Sequence, residues 1–461
     1  MYTFYIKTYG CQMNERDSES LSALLQAEGH QEVALEEAAQ VLIFNTCSVR
    51  EQAERKVIGK VGILKRLKAR KPAVKLGIIG CMGQRLGEKL FEILPHLDFV
   101  VGTDQLAKVP KIFDELEQGK THLTALSTGG EIVQELDKHL GKNMLAYISV
   151  MRGCDQFCTY CIVPHTRGRE KSRTIEAITA EVREQVERGS KEILLLGQNI
   201  TAYGVAEARK AGQYSPEFSA FADLLQALHE IPGLLRIRFT SPHVRYMNQK
   251  FIETVCKLPK VCKAFHIPLQ SGCNRILAAM NRGYTVEEYL ACIENIRNLA
   301  PQANFSTDII VGFPGETRAE FEQTRHVMQQ VQYDMAYIFR YSEREGTRAA
   351  QTLLDEIPEE EKMVRNQVLL NDLTVSVEQR NKAYLGRSVE VLVEGKSKRN
   401  TERWTGRSDL NKVCIFPPLE KIVPGQLCLI QISRTTTNSL FGKIIEISQP
   451  QNCSDCSLGE K

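Results

Sequence analysis

YISVMRGCDQFCTYC, residues 147–161, decides how this chain is read. A short apolar run ends at a glycine, and Cys154, Cys158 and Cys161 follow at CxxxCxxC spacing. Thiolates are the usual ligands of iron–sulfur clusters. Three closely spaced thiolates can hold three irons of a four-iron cluster, leaving the fourth iron open to a substrate or cofactor. The alternative is structural zinc, which wants four ligands, usually as paired CxxC or CxxC with HxxxH. Only His165, in CIVPHTRG, lies near as a fourth. A cysteine loop directly behind a strand also suits a β/α barrel, where sites gather at the carboxyl ends of strands.

Downstream of this stretch, strands and helices alternate. A helix is expected from Ile175, then EILLLG (192–197), a helix from Phe218, LRIRFT (235–240), and a helix from Asn248. KAFHIPL (263–269), helices at 274–281 and 286–299, FSTDIIVGF (305–313), a helix from Arg318 and MAYIFRYS (335–342) follow. About six βα units predict a partial (β/α)6 barrel, and one long charged helix over 355–382 follows it. The turns behind these strands bring Gln198, Asn199, Ser241, His243, Gln270, Ser271, Gly312, Pro314, Gly315 and Glu316 to the carboxyl edge. Polar and glycine-rich turns there can cradle a small cofactor; the plainer reading of each is turn chemistry.

Upstream, TFYIKTY is followed by a helical pattern from Glu15 to about Glu28, and VLIFN (41–45) by a helix from about Arg50 to Arg70. KLGIIG (75–80), a helix from about Gln84 and DFVVG (98–102) complete the pattern. Strands alternating with helices predict an α/β domain on a parallel sheet. Cys11, Cys47 and Cys81 follow its first three strands, in YGCQMN, NTCSVR and IGCMGQ. The carboxyl ends of such strands line one crevice. The three thiols are therefore expected to converge on a second cluster with an open iron. The alternative is three unrelated small residues in tight turns.

Segment 121–143 reads as a linker. Over 383–448, SVEVLVEG, KVCIF, LCLIQIS and FGKIIEIS, with a turn at Pro424-Gly425, read as a small antiparallel β-barrel. Residues 449–461 form a polar tail that carries Cys453 and Cys456.

A length of 461 residues suggests about three domains. Fourteen cysteines in a chain whose start lacks the layout of a signal peptide do not suggest a disulfide framework. No stretch approaches the ~18 apolar residues of a membrane span, so a cytoplasmic protein without a membrane is expected. Net charge, +3, says little. Its distribution says more: Lys60, Lys65, Arg66, Lys68, Arg70, Lys71 and Lys75 occur with no acid between them, and segment 382–446 holds eleven Lys/Arg against six Asp/Glu. Both are candidate phosphate-facing surfaces, against the plainer reading of a solvated helix face or an ordinary basic domain.

CxxxCxxC behind the first barrel strand, with the aromatic Tyr160 before its last cysteine, resembles the signature of the radical S-adenosylmethionine superfamily. With Cys11, Cys47 and Cys81 added, the chain resembles the methylthiotransferases over nearly its whole length. YGCQMN, NTCSVR, RGCDQFCTYCIVPHTRGRE and IPLQSGCNRILAAMNRGYT are similar to the tRNA branch, which makes 2-methylthio-N6-isopentenyladenosine beside the anticodon. His165 stands where an aromatic is common, and the CxxC tail lies outside the pattern.

The resemblance implies a methylthiotransferase domain over 1–120, a linker over 121–143, a radical barrel over 144–380 and an RNA-binding TRAM barrel over 381–448. It implies one [4Fe-4S] cluster on Cys154, Cys158 and Cys161 and an auxiliary one on Cys11, Cys47 and Cys81. S-adenosylmethionine would be bound near Tyr160, Gln198, Asn199, Ser241, Gln270, Gly312 and Pro314. Two molecules would be used per turnover, one as radical source and one as methyl donor. The partner would be a tRNA anticodon stem-loop carrying isopentenyladenosine, held by Lys65, Arg66, Lys68, Arg70, Arg399, Arg403 and Arg407. Trp404 either adds an aromatic contact or serves the core of the small barrel. An electron donor such as flavodoxin or ferredoxin and a monomeric state complete the expectation. Threonylcarbamoyladenosine in tRNA, or an aspartate of ribosomal protein S12, is the alternative substrate.

Overall fold

Val41–Thr46 and Lys75–Ile79 are mostly apolar runs, as expected of strands covered on both faces. The computed structural model describes residues 1–49, 51–127, 143–419 and 422–447. In it these runs are the central strands of an all-parallel sheet. The order is β2-β1-β3-β4-β5-β6, with β1 Thr3–Tyr9, β2 Gln31–Glu32, β3 Val41–Thr46, β4 Lys75–Ile79, β5 Phe99–Val101 and β6 Leu123–Ala125. Helix α1 (Gln12–Ala27) covers one face through Leu21 and Leu25 against Phe4 and Ile43. Helix α2 (Glu51–Arg70) covers the other through Val57 and Val61 against Leu42 and Phe44.

Two details differ from the expectation. Strand β6 lies inside the segment read as linker and pairs with β5 from Phe99↔Leu123 to Val101↔Ala125. It is a short, half-exposed edge strand and so carries no strong apolar signal. The linker's residues 128–142 lie outside the described residues. The helix expected from Gln84 instead starts at Cys81 and is split by Gly87, at φ +50°, into α3 (Cys81–Leu86) and Lys89–Ile93.

The central domain is an open barrel. Strands β7 (Leu145–Ser149), β10 (Glu192–Leu196) and β11 (Arg236–Phe239) form one parallel sheet. Strands β12 (Ala264–His266), β13 (Asn304–Val311) and β14 (Met335–Arg340) form another. The bridge Ile237↔Val261 joins them into a six-strand arc. Phe305, Ile309 and Val311 of β13 sit in the core beneath the helices, whereas Ser306, Asp308 and Ile310 alternate with them. Between β7 and β10 a small antiparallel hairpin, β8 (Met151–Arg152) with β9 (Lys171–Ser172), encloses the cysteine loop. The long helix Glu359–Lys382 packs along β14.

The C-terminal unit is a closed barrel in the order β15-β16-β17-β19-β18. Its strands are β15 Ser388–Lys396, β16 Trp404–Ser408, β17 Val413–Phe416, β18 Leu427–Thr435 and β19 Leu440–Ile447. Sequence patterning misses β16, WTGRS, whose glycine is an approach point: a Cβ on Gly406 would fall 2.4 Å from the Leu392 carbonyl oxygen. Trp404 packs against the barrel core, which favours the structural reading of that residue. The pairing is antiparallel except between β17 and β19. This barrel seats on the amino ends of the central strands. Arg236 Nη1 donates to the Arg407 carbonyl at 2.5 Å, Arg238 Nη2 to that of Ser408 at 2.6 Å, and Asn304 Nδ2 to that of Leu410 at 2.7 Å. Among the described residues no helix is long and apolar enough to cross a membrane.

Candidate active site

The turns carrying Cys11, Cys47 and Cys81 are shaped to one another. A Cβ on Gly10, before Cys11, would fall 2.5 Å from Asn14 Oδ1. A Cβ on Gly80, before Cys81 and at φ +89°, would fall 2.3 Å from Asn45 Oδ1. The two asparagines interlock. Asn14 Nδ2 donates to Asn45 Oδ1 at 2.9 Å, and Asn45 Nδ2 donates to the Asn14 carbonyl at 2.9 Å. The Cys47 amide donates to the Tyr9 carbonyl at 3.0 Å.

This frame puts the Cys11 and Cys47 thiols in hydrogen-bond contact, with Cys81 in electrostatic reach of both. The hydrogen bond from Cys47 brings the Cys11 thiol down to about 6, with the Arg167 guanidinium adding to it. The same bond pushes Cys47 up. Burial pushes Cys81 up, and Arg167 opposes it.

The second trio sits on a loop clamped from two sides. The Cys154 amide donates to the Gly168 carbonyl at 3.2 Å, and Asp155 and Glu170 exchange amide-to-carboxylate bonds at 3.1 and 3.2 Å. On the other side stands the turn Ala279–Tyr284. Asn281 Nδ2 donates to the carbonyls of Gln156 and Phe157 at 3.3 and 3.0 Å, and Thr159 Oγ1 donates to that of Ala279 at 2.9 Å. Arg282, buried beside Tyr284, donates to Cys158 Sγ at 3.3 Å. Burial pushes the Cys161 thiol up to about 12. Tyr160 packs its ring with Phe313, Tyr341 and Met280.

The remaining edge residues are distributed around this loop. Asn199 and Gln270 are buried, and Gln270, at φ +70°, and Ser241, at φ +59°, hold left-handed backbones. Gly312, also left-handed, donates its amide to Glu316 Oε2 at 2.7 Å in the turn with Pro314. Gln198 Oε1, Asn199 Nδ2 and His243 Nε2 are buried without a protein partner. Near the first trio, Thr46 Oγ1 and Arg167 Nη1 are likewise unpartnered. Buried polar atoms are ordinarily satisfied, so both places have donors and acceptors to spare for a ligand.

Three residues absent from the sequence reading join the two trios. Asp17, fully buried on α1, receives Arg152 at 2.8 Å and Arg167 at 2.9 Å. Arg152 lies two residues before Cys154, and Arg167 six residues after Cys161. Thr103 Oγ1 donates to the Thr166 carbonyl at 2.5 Å, and Arg344, from the segment after β14, donates to the Val49 carbonyl at 3.3 Å. The carboxyl edge of the first sheet thus docks on the carboxyl edge of the barrel. Motif spacing carries no sign of such pairs; the only sequence signal was Arg167 lying within the conspicuous run PHTRG.

The basic residues fare unequally. Lys65, Arg66, Arg70, Arg399 and Arg403 are exposed. Lys68 instead turns inward to Asp98 Oδ2 at 2.5 Å, and Arg407 is engaged by Glu394 at 2.9 Å. The basic stretch of α2 and that of the small barrel lie on different domains.

Among the described residues no three thiol, imidazole or carboxylate groups are gathered as a single metal ion would need. A four-iron cluster takes each thiolate on a different iron, so its ligands stand further apart than those of one ion. Three thiols per site, with no fourth protein ligand among the described residues, are a donor set that fits a cluster with an open iron and not a closed zinc site.

Family models match this chain in three places: Uncharacterized protein family UPF0004 over residues 3–102, the Radical SAM superfamily over 148–328, and the TRAM domain over 382–445. Proteins named tRNA-2-methylthio-N(6)-dimethylallyladenosine synthase match it nearly end to end. That of Opitutus terrae is 40% identical, covering 96% of this chain and 98% of that protein. That of Carboxydothermus hydrogenoformans is 41% identical, covering 96% and 99%. Among solved structures, the radical S-adenosylmethionine methyltransferase TsrM of Kitasatospora setae, with cobalamin and a [4Fe-4S] cluster bound, superposes with a TM-score of 0.55. At 11% identity, over 76% of this chain and 74% of that one, it supports the fold alone. The extent and identity of the curated matches place the chain in the tRNA-2-methylthio-N(6)-dimethylallyladenosine synthase family of radical S-adenosylmethionine enzymes.

Proposed function

We infer that this chain methylthiolates C2 of N6-isopentenyladenosine beside the anticodon of tRNA, giving 2-methylthio-N6-isopentenyladenosine. The observation that carries this reading is that Asp17, Arg152 and Arg167 dock the strand ends bearing Cys11, Cys47 and Cys81 on the barrel edge bearing Cys154, Cys158 and Cys161. Cys154, Cys158 and Cys161 would hold the [4Fe-4S] cluster that binds S-adenosylmethionine, and Cys11, Cys47 and Cys81 an auxiliary [4Fe-4S] cluster at the sulfur-delivering site. When bound, the first cluster and S-adenosylmethionine supply a 5′-deoxyadenosyl radical able to attack an unactivated C–H bond. A second S-adenosylmethionine per turnover supplies the methyl group.

The chain's own residues place and enclose these groups. Asn281 and Arg282 hold the cysteine loop against the turn after the helix Asn274–Ala279. The unpartnered Gln198, Asn199 and His243 atoms offer hydrogen bonds at the barrel mouth, where Tyr160, Ser241, Gln270, Gly312 and Pro314 complete the S-adenosylmethionine site. The Asp17 pairs keep the two sites in register. We assign the domains as 1–120, 144–380 and 381–448, with the target adenine turned out of its stack for the chemistry. Exposed Lys65, Arg66, Arg70, Arg399 and Arg403 would contact tRNA phosphates. A flavodoxin- or ferredoxin-type donor, a monomeric state and a cytoplasmic location go with this function.

Nucleoside mass spectrometry of total tRNA, from cells with and without the gene, tests it. Loss of 2-methylthio-N6-isopentenyladenosine with accumulation of its unthiolated precursor is the expected result. An unchanged nucleoside would overturn the substrate and move the search to threonylcarbamoyladenosine and ribosomal protein S12.

A further inference from the structure

Arg167, six residues after Cys161, brings its guanidinium up to the first cysteine trio. Its Nη2 donates to Asp17 Oδ2 at 2.9 Å, and Asp17 is fixed in turn by Arg152. Its guanidinium also lies in electrostatic reach of Cys81 and Cys11. Only 4% of Arg167 is exposed, and its Nη1 has no hydrogen-bond partner. A buried guanidinium with an idle N–H group is costly unless something anionic completes it. Asp17 balances part of the charge, but it is shared with Arg152. The short helix that carries Arg167, Val163–Arg167, packs on α3, whose first residue is Cys81.

A methylthio group needs a sulfur atom, which must be held near the reacting carbon before it is transferred. Hydrosulfide and methanethiolate are small anions of the kind a buried guanidinium completes. We propose that Arg167 is a positioning residue that binds the anionic sulfur ligand of the Cys11/Cys47/Cys81 site through its free Nη1, while Asp17 holds the guanidinium at the correct angle. This rests on the auxiliary cluster inferred above, and it gives the chain a sulfur-anion subsite built from one residue of the barrel and one of the first domain. Arginine suits the task better than lysine, because a planar fork can hold Asp17 with one arm and the anion with the other.

The test uses full-length protein carrying Cys154→Ala, Cys158→Ala and Cys161→Ala, reconstituted anaerobically so that only the first trio can take a cluster. Sodium hydrosulfide and, separately, methanethiolate are titrated in, and the change in the electron paramagnetic resonance spectrum of the reduced cluster gives the affinity. Arg167→Gln is expected to weaken both anions at least tenfold at equal iron and sulfide content, with Arg167→Lys falling between. Equal affinity in Arg167→Gln would overturn the proposal while leaving the cluster in place. If Arg167→Gln takes up no iron, Arg167→Lys decides by the same comparison; if neither loads although both stay folded, Arg167 only builds the cysteine nest and the proposal fails. Absence of iron and sulfide even with Arg167 intact would instead defeat the auxiliary-cluster reading itself.

Discussion

At the scale of single residues, the six cysteines divide by what each is expected to control. Replacing Cys154, Cys158 or Cys161 with Ala is expected to abolish both product and S-adenosylmethionine cleavage. Replacing Cys11, Cys47 or Cys81 is expected to abolish product but leave cleavage partly intact; measuring 5′-deoxyadenosine beside the modified nucleoside separates the sets. Product formed without the second set would sink the two-site account. Gly80 is as exacting as the cysteine it precedes. It sits at φ +89°, and a Cβ would lie 2.3 Å from the Asn45 carboxamide oxygen, which already accepts from Asn14. Gly80→Ala combines left-handed strain of about 1–2 kcal/mol with overpacking of about 1–3 kcal/mol. A lower urea midpoint, together with less iron retained at the first trio, is the expected outcome. An unchanged midpoint and iron content would mean that the asparagine pair yields without cost.

At the scale of elements, what was legible followed local pattern. Strands β3, β4, β10 and β13 were readable because their buried faces demand runs of Val, Ile, Leu and Phe. The two cysteine sets stood out in the sequence, one by its CxxxCxxC spacing and the other because Cys11, Cys47 and Cys81 each follow a strand. Strands β6 and β16 were not readable, being short, partly exposed and, in β16, interrupted by a glycine that the neighbouring strand requires. Nor were the partners of Asp17, because a buried carboxylate paired with Arg152 and Arg167 leaves no periodicity to detect. The turn Ala279–Tyr284 belongs to the same class: its sequence was recognisable, but its task, holding residues 156–159, is visible only in three dimensions. Asn281 makes that clamp with its amide while its backbone stands at φ +56°. Two hydrogen bonds are lost at about 1 kcal/mol each, so Asn281→Ala should open the cysteine loop roughly thirtyfold more often. The check is the rate at which a chelator removes iron from protein lacking the first trio. Cleavage per bound cluster should change little, and an unaltered release rate would assign the clamp to other bonds.

At the scale of the whole molecule, the small β-barrel, proposed above as a surface for RNA, is also the floor of the central barrel. Arg236 and Arg238 are buried at the amino ends of the strands, where their guanidiniums are met by carbonyls of Arg407, Ser408 and Asp409. Below them Lys412 and Arg380 converge on Asp334 at 2.9 Å each. Removing residues 383–461 would strip partners from two buried cations, a loss of several kcal/mol where single uncompensated groups cost about 1–3 kcal/mol and charged ones more. A truncated chain would therefore lose the barrel's integrity along with its RNA-binding surface and could not tell the two apart. Point changes on exposed residues can, because Arg399 and Arg403 lie exposed in the loop before β16 and supply none of the carbonyls that Arg236 and Arg238 use. In Arg399→Ala/Arg403→Ala, tRNA affinity should fall, and the slope of log affinity against log salt should shrink by about 0.7–0.9 for each phosphate no longer neutralised. Uncoupled S-adenosylmethionine cleavage should stay at its original rate, since the cysteine loop lies at the opposite ends of the strands. Were affinity and slope both unchanged, the phosphate surface would have to be the exposed face of α2, and Lys65, Arg66 and Arg70 would be the residues to replace next.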